Sequence, residues 1–452
     1  MNDYDDEDTA AVRLLQALIR NACVNTGEPD SGDEWKSVET LGEYLGVPGV
    51  VVEPAPGRQS VVYRIPGTTP GAPALALVPH LDVVPANVSG WSCDPFAADI
   101  REGYVWGRGA LDMLNITAAM AVVFKQYLDG DVPPLPGDLV LAAVADEEAG
   151  GRLGAGHLVE HEWPLVACDF LLTEVAAPTF HRTPDPSLPV TVGEKGPGWR
   201  QIHAVGTPSH ASQPFGSDNA LLALADATVR LGTTPTPVSI DDGWNSFVDA
   251  LGLPGDLANA LKDPDRVDDA IEELALTEPA LARWAHACTH MTVAPTMMQA
   301  GTKANTIADT ATLSVDIRVL PGQSQDDVDA HIRKAMGEFL ADRIEIEPIV
   351  VGPATRSDAA GSLWEAIADA SEQHIGTRTL VPMMIPVATD ARFFRQRGVT
   401  AYGVGWFDDD TNLADIIGMF HGNDERVSVT SVNRSVTFLE SVLRNFGIRT
   451  AG

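Results

Sequence analysis

The 452-residue sequence has few cysteines, few lysines and no long apolar run. Its four cysteines are scattered without a C-x-x-C pair, which argues against both a disulfide framework and a thiolate metal site. No apolar run reaches the roughly 18 residues that a membrane-spanning helix needs. The first ten residues, MNDYDDEDTA, are acidic where a secretory signal would be basic and then apolar, so we expect a cytoplasmic protein.

Basic residues are scarce overall. The chain has 30 lysines and arginines against 63 aspartates and glutamates, which gives a formal net charge of −33. Nucleic acids and anionic membranes are bound through a basic face, so we expect neither as a partner. Hydrophobic residues make up 44% of the chain, a globular composition, and the length suits two domains of unequal size.

The sequence is organised around residues 74–85, which read ALALVPHLDVVP. The apolar run Ala74–Val78 predicts a buried strand of a parallel sheet. His80 and Asp82 follow two residues apart, so they lie on one side of the chain if it stays extended. A metal would explain polar side chains so near the core, with His80 as a ligand and Asp82 orienting a neighbouring ligand. This stretch alone is equally compatible with a surface histidine and aspartate in a loop.

The pattern of a strand followed by charged residues occurs twice more. A predicted strand at Asp138–Val144 runs into Glu147 and Glu148, and another at Asp169–Thr173 ends at Glu174. In open α/β sheets the ligand crevice lies beyond the carboxyl ends of the strands. We therefore expect an α/β fold with a mixed, mainly parallel sheet flanked by helices, and a polar site at one edge of that sheet.

The polar residues at these positions are suited to binding metals. Two histidines and three carboxylates can hold a pair of divalent ions if one carboxylate bridges them. Imidazole and carboxylate ligands without thiolate favour zinc, with cobalt or manganese as substitutes. A further glutamate that is not a ligand is then free to deprotonate a metal-bound water. The candidates in chain order are His80, Asp82, Asp112, Glu147, Glu148, Glu174 and His421.

Eight short segments together resemble the M20 metallopeptidase family, which includes glutamate carboxypeptidase, succinyl-diaminopimelate desuccinylase, acetylornithine deacetylase and aminoacylase. They occur in the family's order and extend over nearly the whole chain. The resemblance implies an α/β catalytic domain with an inserted, smaller α+β lid of the dimerisation type. The segments are VPHLDVVP, GRGALDM, ADEEAGG, LTE, GTPSHASQP, GTKANTI, DIRVLPG and FHGNDE.

The resemblance implies a particular arrangement of two zinc ions. His80 and Glu174 would hold one ion, and Glu148 and His421 the other. Asp112 would bridge the two. Two metals about 3.5–4 Å apart bind a water molecule and polarise the scissile carbonyl in such sites.

Roles for further residues also follow from the resemblance. Glu147 matches the family's general base, and Asp82 the residue that tunes the metal site on the His80 side. His210, in the inserted lid, would stabilise the oxyanion, often from a partner subunit. Asn305 and Arg318 match lid residues that hold the carboxylate end of the substrate.

The sequence departs from the family pattern in two places. Residues 113–115 read Met-Leu-Asn where the family often has Met-Lys-Gly, and residues 387–390 read Val-Ala-Thr-Asp where Gly-Gly-Thr-Asp is common. The second change affects the pocket for the end group of the substrate, for which Thr389 is a candidate. Arg318 has an alternative role as well, because it could simply pair with Asp316.

These observations predict the domain organisation. Residues 1–192 and 352–452 would form the catalytic domain, and residues 193–351 the lid, with an acidic helical extension at 241–290. Relatives form homodimers through the lid, but the acidic extension could cover that face here.

The predicted reaction is hydrolysis of an amide bond beside a free carboxylate, as in carboxypeptidases and dipeptidases. Small peptides are the first candidate substrates, and N-acyl amino acids are the alternative. Two other readings stay open at this point: a metal-binding protein without activity, and a dinuclear aminopeptidase that lacks the inserted lid.

Overall fold

The computed structural model describes residues 4–341 and 343–451, and for residues 338–341 it describes the backbone alone. Residues 1–3, 342 and 452, which the predicted domain ranges include, lie outside the described part. The strands of the described chain form two main sheets and one small one. In chain order they are β1 (Val50–Val52), β2 (Ser60–Ile65), β3 (Leu75–Leu77), β4 (Ile100–Arg101), β5 (Tyr104–Trp106), β6 (Leu139–Ala143), β7 (Phe170–Thr173), β8 (Leu188–Glu194), β9 (Gly196–Val205), β10 (Thr292–Ala300), β11 (Thr310–Val319), β12 (Ile344–Val351), β13 (Thr355–Arg356), β14 (Leu380–Ile385), β15 (Thr400–Gly403) and β16 (Arg426–Ser428).

Several helices begin at a residue whose side chain caps the first turn. Thr9 Oγ1 accepts the backbone N–H of Val12 at 3.3 Å, and Ser428 Oγ accepts that of Ser431 at 3.1 Å. None of the helices in residues 4–341 and 343–451 combines the length and apolar composition needed to cross a bilayer. The helices are α1 (Ala10–Asn21), α2 (Trp35–Leu45), α3 (Leu114–Asp129), α4 (Ala155–His161), α5 (Trp163–Val166), α6 (Ala220–Thr233), α7 (Asp242–Ala250), α8 (Gly255–Leu261), α9 (Val267–Ala275), α10 (Pro279–Thr289), α11 (Gln325–Ala341), α12 (Ser362–Ile375), α13 (Ala391–Arg395), α14 (Leu413–Met419) and α15 (Val429–Thr450).

The large sheet has the order β1-β2-β6-β3-β7-β15-β8-β13, with β14 also beside β8. Strands β6, β3, β7 and β15 run parallel to one another, and β1 and β2 are antiparallel. Successive side chains of β3 enter different cores: Leu75 and Leu77 face the helices α1, α3, α12 and α15, whereas Ala76 faces α4 and α13. Helices therefore cover both faces, and the predicted fold class is confirmed.

The smaller sheet is antiparallel and has the order β10-β11-β9-β12. Its core packs against α6 and α11 on one face. The chain enters this sheet between Glu194 and Gly196 and leaves it after Val351. A Cβ on Gly196 would lie 2.4 Å from the backbone nitrogen of Ala354. A glycine is therefore needed where the segment that enters the smaller sheet passes the segment that leaves it. The inserted α+β unit is present as predicted, while the division into domains stays a prediction.

The acidic segment 241–290 forms the helices α7 to α10. Its apolar side chains, including Trp244 and Phe247, share a core with Val381 and Met383 of β14. The segment thus packs against the large sheet, although the chain reaches it from the smaller one. The sequence prediction, which attached this segment to the lid, did not include that contact.

Candidate metal centre and active site

The predicted ligands lie at one edge of the large sheet because their strands are neighbours. Strands β6, β3 and β7 are adjacent and parallel, so their carboxyl ends meet. Glu174 follows β7 directly, His80 pairs beside Val144 just beyond β3 and β6, and Glu148 lies in a short turn after β6. Sequence patterns at three separate places therefore converge on one site.

The five predicted ligands form two groups that share one aspartate. His80 Nε2 lies 3.2 Å from Asp112 Oδ1 and 3.6 Å from Glu174 Oε2. His421 Nε2 lies 3.4 Å from Asp112 Oδ2 and 3.2 Å from Glu148 Oε2. In each group one donor atom per residue lies within 4.8 Å of the others, which suits one metal ion per group.

Asp82 forms hydrogen bonds both with His80 and with the turn that contains Glu147 and Glu148. The backbone oxygen of Asp82 lies 3.0 Å from His80 Nδ1, which places the imidazole proton on Nδ1 and leaves Nε2 free to bind a metal. The Asp82 carboxylate accepts the backbone N–H groups of Glu147 at 3.2 Å and Glu148 at 3.1 Å. One buried residue thus orients a predicted ligand through its backbone and the predicted base through its side chain.

The charges at the centre require a cation or protons. Burial and the Glu174 carboxylate raise the pKa of Glu147 well above its ordinary value, and burial with Asp112 raises the pKa of Glu148 to about 7. Burial lowers the pKa of His80, but hydrogen bonds to Asp112 and Glu174 outweigh this effect and raise that pKa well above its ordinary value. Divalent ions would relieve this concentration of carboxylates, and imidazole and carboxylate donors fit them.

A second observation supports the fit to a metal. Glu148 Oε1 is buried and has no hydrogen-bond partner within residues 4–341 and 343–451. Backbone conformation is unusual at one predicted ligand and next to another: His421 has φ +57°, and Val175, directly after Glu174, has φ +59°. A β-branched residue at positive φ is strained, and such strain is concentrated at functional sites.

The residues predicted to bind substrate are less uniformly placed. His210 lies on an exposed lid loop, where its Nδ1 is 2.7 Å from Ser212 Oγ. The loop of Asn305 is adjacent, because the Asn305 backbone oxygen accepts the N–H of Ala211 at 3.0 Å. No hydrogen bond of His210 within the described chain reaches the five ligands. Its role at the centre stays a prediction.

Arg318 and Thr389 already have partners. Arg318 donates from Nε and Nη2 to the carboxylate of Asp316 at 2.9 and 3.1 Å, and its guanidinium lies 5.3 Å from the ring centre of Trp199. The alternative pairing suggested by the sequence therefore exists. Thr389 is buried, and its hydroxyl donates to Glu194 Oε2 at 2.8 Å. A substrate could use the Thr389 hydroxyl only as an acceptor, or by displacing Glu194.

Sequence reasoning missed a buried network below Asp82. Asn25 Nδ2 donates to Asp82 Oδ2 at 2.8 Å, and Arg58 donates to both Asn25 Oδ1 and Glu34 Oε1 at 2.8 Å. Arg58 and Glu34 are fully enclosed. Arg58 stands in the segment PGRQS, which looks like an ordinary surface turn, so the sequence carries no signal for its burial.

The protein thus combines an α/β sheet, an inserted antiparallel unit and two histidine–carboxylate groups that share one aspartate, a site suited to divalent metals. The chain belongs to peptidase family M20/M25/M40, whose sequence model matches residues 76–445. The resemblance inferred from the eight segments is confirmed. Membership and the inserted sheet exclude the aminopeptidase without a lid.

Relatives and solved structures agree with this assignment. The chain is 27% identical to aminoacylase-1 of Homo sapiens over 447 residues, which covers 97% of this chain and 95% of that protein. It is 26% identical to the N-fatty-acyl-amino acid synthase/hydrolase PM20D1 of Mus musculus over 474 residues, with coverage of 98% and 89%. Its fold is similar to an M20 family metallo-carboxypeptidase of Sulfolobus solfataricus, with a TM-score of 0.74, 16% identity and coverage of 97% and 100%. The chain is accordingly a hydrolase of this family.

Proposed function

We propose that the protein hydrolyses an amide bond next to a free carboxylate, using two zinc ions, with cobalt or manganese as substitutes. His80 and Glu174 would hold one ion, Glu148 and His421 the other, and Asp112 both. The observation that carries this proposal is the position of Asp112, whose two carboxylate oxygens face different histidines.

Bound divalent ions supply Lewis acidity and lower the pKa of water. Glu147 would take a proton from the attacking water and deliver it to the departing amine. Its raised pKa, caused by burial and Glu174, suits a group that must hold that proton between the two steps. Asp82 would keep Glu147 in place through the backbone hydrogen bond at 3.2 Å.

The lid would complete the site when it closes. His210 would donate to the oxyanion that develops on the scissile carbonyl, and Asn305 and Arg318 would bind the substrate carboxylate. For Arg318 this requires sharing or leaving Asp316, which now occupies two of its donors. Thr389 is a further candidate contact to the end group of the substrate.

Two substrate classes fit this chemistry. Small peptides are supported by the description of the family as peptidases. N-acyl amino acids, the second candidate, are supported by the two relatives above, an aminoacylase and an N-fatty-acyl-amino acid hydrolase. Both classes present an amide beside a carboxylate, so the proposed residues would act in the same way on either.

The experiment is turnover of a mixed substrate panel by the zinc-loaded protein. The panel contains dipeptides, N-acetyl and N-succinyl amino acids, and long-chain N-acyl amino acids. Cleavage of dipeptides alone would establish a peptidase, and cleavage of acylated amino acids alone would establish the second candidate. If the protein binds two ions but cleaves no substrate of the panel, the result would contradict the proposed reaction and favour a metal-binding protein without activity.

Glu147→Ala is the matched test of the base, and Glu160→Gln, on the exposed surface of α4, is its control. We expect Glu147→Ala to keep both ions and lose turnover by about 10²–10⁴-fold, the contribution typical of general acid–base catalysis. Full activity in Glu147→Ala would exclude the assigned base.

A homodimer through the lid and a location in the cytoplasm complete the proposal. The lid exposes large apolar side chains at Phe215, Leu222 and Val229, and a partner subunit would remove such side chains from water. Light scattering on the purified protein tests the dimer, and a monomer at micromolar concentration would contradict it.

A further inference from the structure

A second buried carboxylate, Glu425, holds the loop of the shared ligand Asp112. Glu425 Oε1 accepts the backbone N–H groups of Leu111 at 2.7 Å and Asp112 at 3.2 Å. Its Oε2 accepts the backbone N–H of Gly109 at 3.1 Å and a guanidinium N–H of Arg108 at 2.6 Å. With an exposed fraction of 0%, Glu425 satisfies four donors and is shielded from water.

Arg108 extends this contact to two more ligand loops. Its Nη2 donates to the backbone oxygen of Gly422 at 2.9 Å and makes a longer contact of 3.5 Å with that of Pro85. Gly422 directly follows His421, and Pro85 ends the stretch 74–85, which contains His80. The guanidinium also lies 5.4 Å from the ring centre of Trp91. One ion pair thus touches the loops of three metal ligands.

The pair is expensive to bury, which argues for a specific role. Replacing a buried ion pair with apolar side chains of similar size is often neutral or stabilising, so stability alone explains its presence poorly. Asp82 offers a comparison, because its carboxylate accepts the backbone N–H groups of Glu147 and Glu148. Glu425 makes the equivalent bonds to the backbone of Asp112.

We propose that Glu425 and Arg108 are positioning residues that set the metal affinity of the group formed by Asp112, Glu148 and His421. Their ion pair fixes both the Asp112 loop and the turn after His421. It therefore holds two ligands from separate loops at a fixed distance from each other. Partners of this kind typically change metal affinity by about 10–100-fold when mutated. The inference rests on the two-metal centre of the proposed function.

The direct test is zinc affinity of Glu425→Gln, measured by chelator competition on the metal-free protein. Glutamine has the same shape, but its NH₂ group would face the Arg108 and Gly109 donors and cannot accept from them. We expect the affinity for the ion between Glu148 and His421 to fall about 10–100-fold, because the ion pair holds the loops of two of its ligands. The affinity for the other ion, which shares only Asp112 with this group, should fall by less. Spectra of the cobalt-substituted protein should report the altered site without any need for turnover.

Arg108→Lys and Arg200→Met complete the design. A lysine keeps the positive charge opposite Glu425 but lacks the second guanidinium nitrogen that donates to Gly422. We therefore expect zinc affinity to fall, but by less than in Glu425→Gln. Arg200→Met removes another buried arginine, which pairs with the partly exposed Asp329 in the lid, and should leave zinc binding unchanged. If Glu425→Gln does not fold, Arg108→Lys decides the question by the same affinity measurement.

Each outcome separates the inference from the proposed function. Two ions with unchanged affinities in both Glu425→Gln and Arg108→Lys would overturn the inference and leave the proposed function intact. Fewer than two ions in the wild-type protein would instead overturn the two-metal centre itself. An equal loss of affinity in Arg200→Met would mean that general destabilisation, and not positioning, explains the effect.

Discussion

The backbone oxygen of Asp82 lies 3.0 Å from Nδ1 of His80, while the Asp82 carboxylate points to the neighbouring glutamate turn. A single residue therefore fixes the tautomer of a predicted ligand through its backbone and the position of the predicted base through its side chain. Substitution of the side chain tests only the second effect, because the backbone bond to His80 remains. Zinc affinity would then change through Glu148, whose backbone N–H the same carboxylate accepts.

Asp82→Asn should lower both turnover and zinc affinity, each by about 10–100-fold. The asparagine NH₂ group would face a backbone N–H of Glu147 or Glu148, where only an acceptor fits. The control is Asp138→Asn, which alters a carboxylate bonded to Arg64 and Gly67 at the start of β6. Equal kinetic constants for Asp82→Asn and wild type would exclude this role.

His210→Ala should reduce turnover by about 10²–10³-fold, the typical cost of removing one oxyanion donor. The reason is that charge develops on the carbonyl oxygen only in the transition state, so kcat should fall more than KM rises. His203→Ala, which removes a half-buried lid histidine paired with Glu347, is the matched control. An unchanged kcat in His210→Ala would remove His210 from the mechanism.

Zinc affinity should rise with pH, with release of protons on binding. Hydrogen bonds to Asp112 and Glu148 raise the pKa of His421 to about 10, so at neutral pH a cation must displace a proton from it. In the metal-free protein the same raised pKa stabilises the fold below the unfolded value of about 6.5, and this contribution is lost as pH rises through about 10. Calorimetry in buffers of different ionisation enthalpy counts the protons, and binding without proton release would refute the expectation.

Phe247→Ala should destabilise the protein by about 3–5 kcal/mol, the usual cost of removing a buried phenylalanine. Phe247 is 2% exposed and contacts the rings of Phe180 and Trp244 in the core shared with β14. Leu276→Ala, at a position 83% exposed, should change stability by less than about 0.5 kcal/mol. Denaturant unfolding measures both, and similar values for the two variants would contradict the docking of the acidic segment on the large sheet.

The sequence was sufficient for the fold class and for placing three of the five predicted ligands near one edge of the sheet. Strand patterns placed His80, Glu148 and Glu174 beyond strand ends, and parallel neighbours bring such ends together. Asp112 and His421 carry no such pattern of their own, and their assignment depended on the resemblance to the family. Both residues lie on loops. The spacing of apolar residues predicts helices and strands, but it does not predict the path of a loop.

There is a physical reason why the sequence did not predict the residues that support the predicted ligands. Arg58, Arg108 and Glu425 are charged, and charged side chains are normally exposed, so composition assigns them to the surface. Only the assembled fold shows that each is enclosed with partners that compensate for its burial. The contact of the acidic helices with β14 was equally hidden, because an amphipathic helix requires an apolar partner without specifying it.

The central claim is that Asp112 joins two metal ions. Anomalous diffraction at the zinc edge, from crystals of the wild-type protein grown with zinc, measures this directly. We predict two anomalous peaks, one between His80 and Glu174 and one between Glu148 and His421, with the Asp112 carboxylate between them. A single peak at this site, or peaks only elsewhere on the protein, would contradict the two-metal centre.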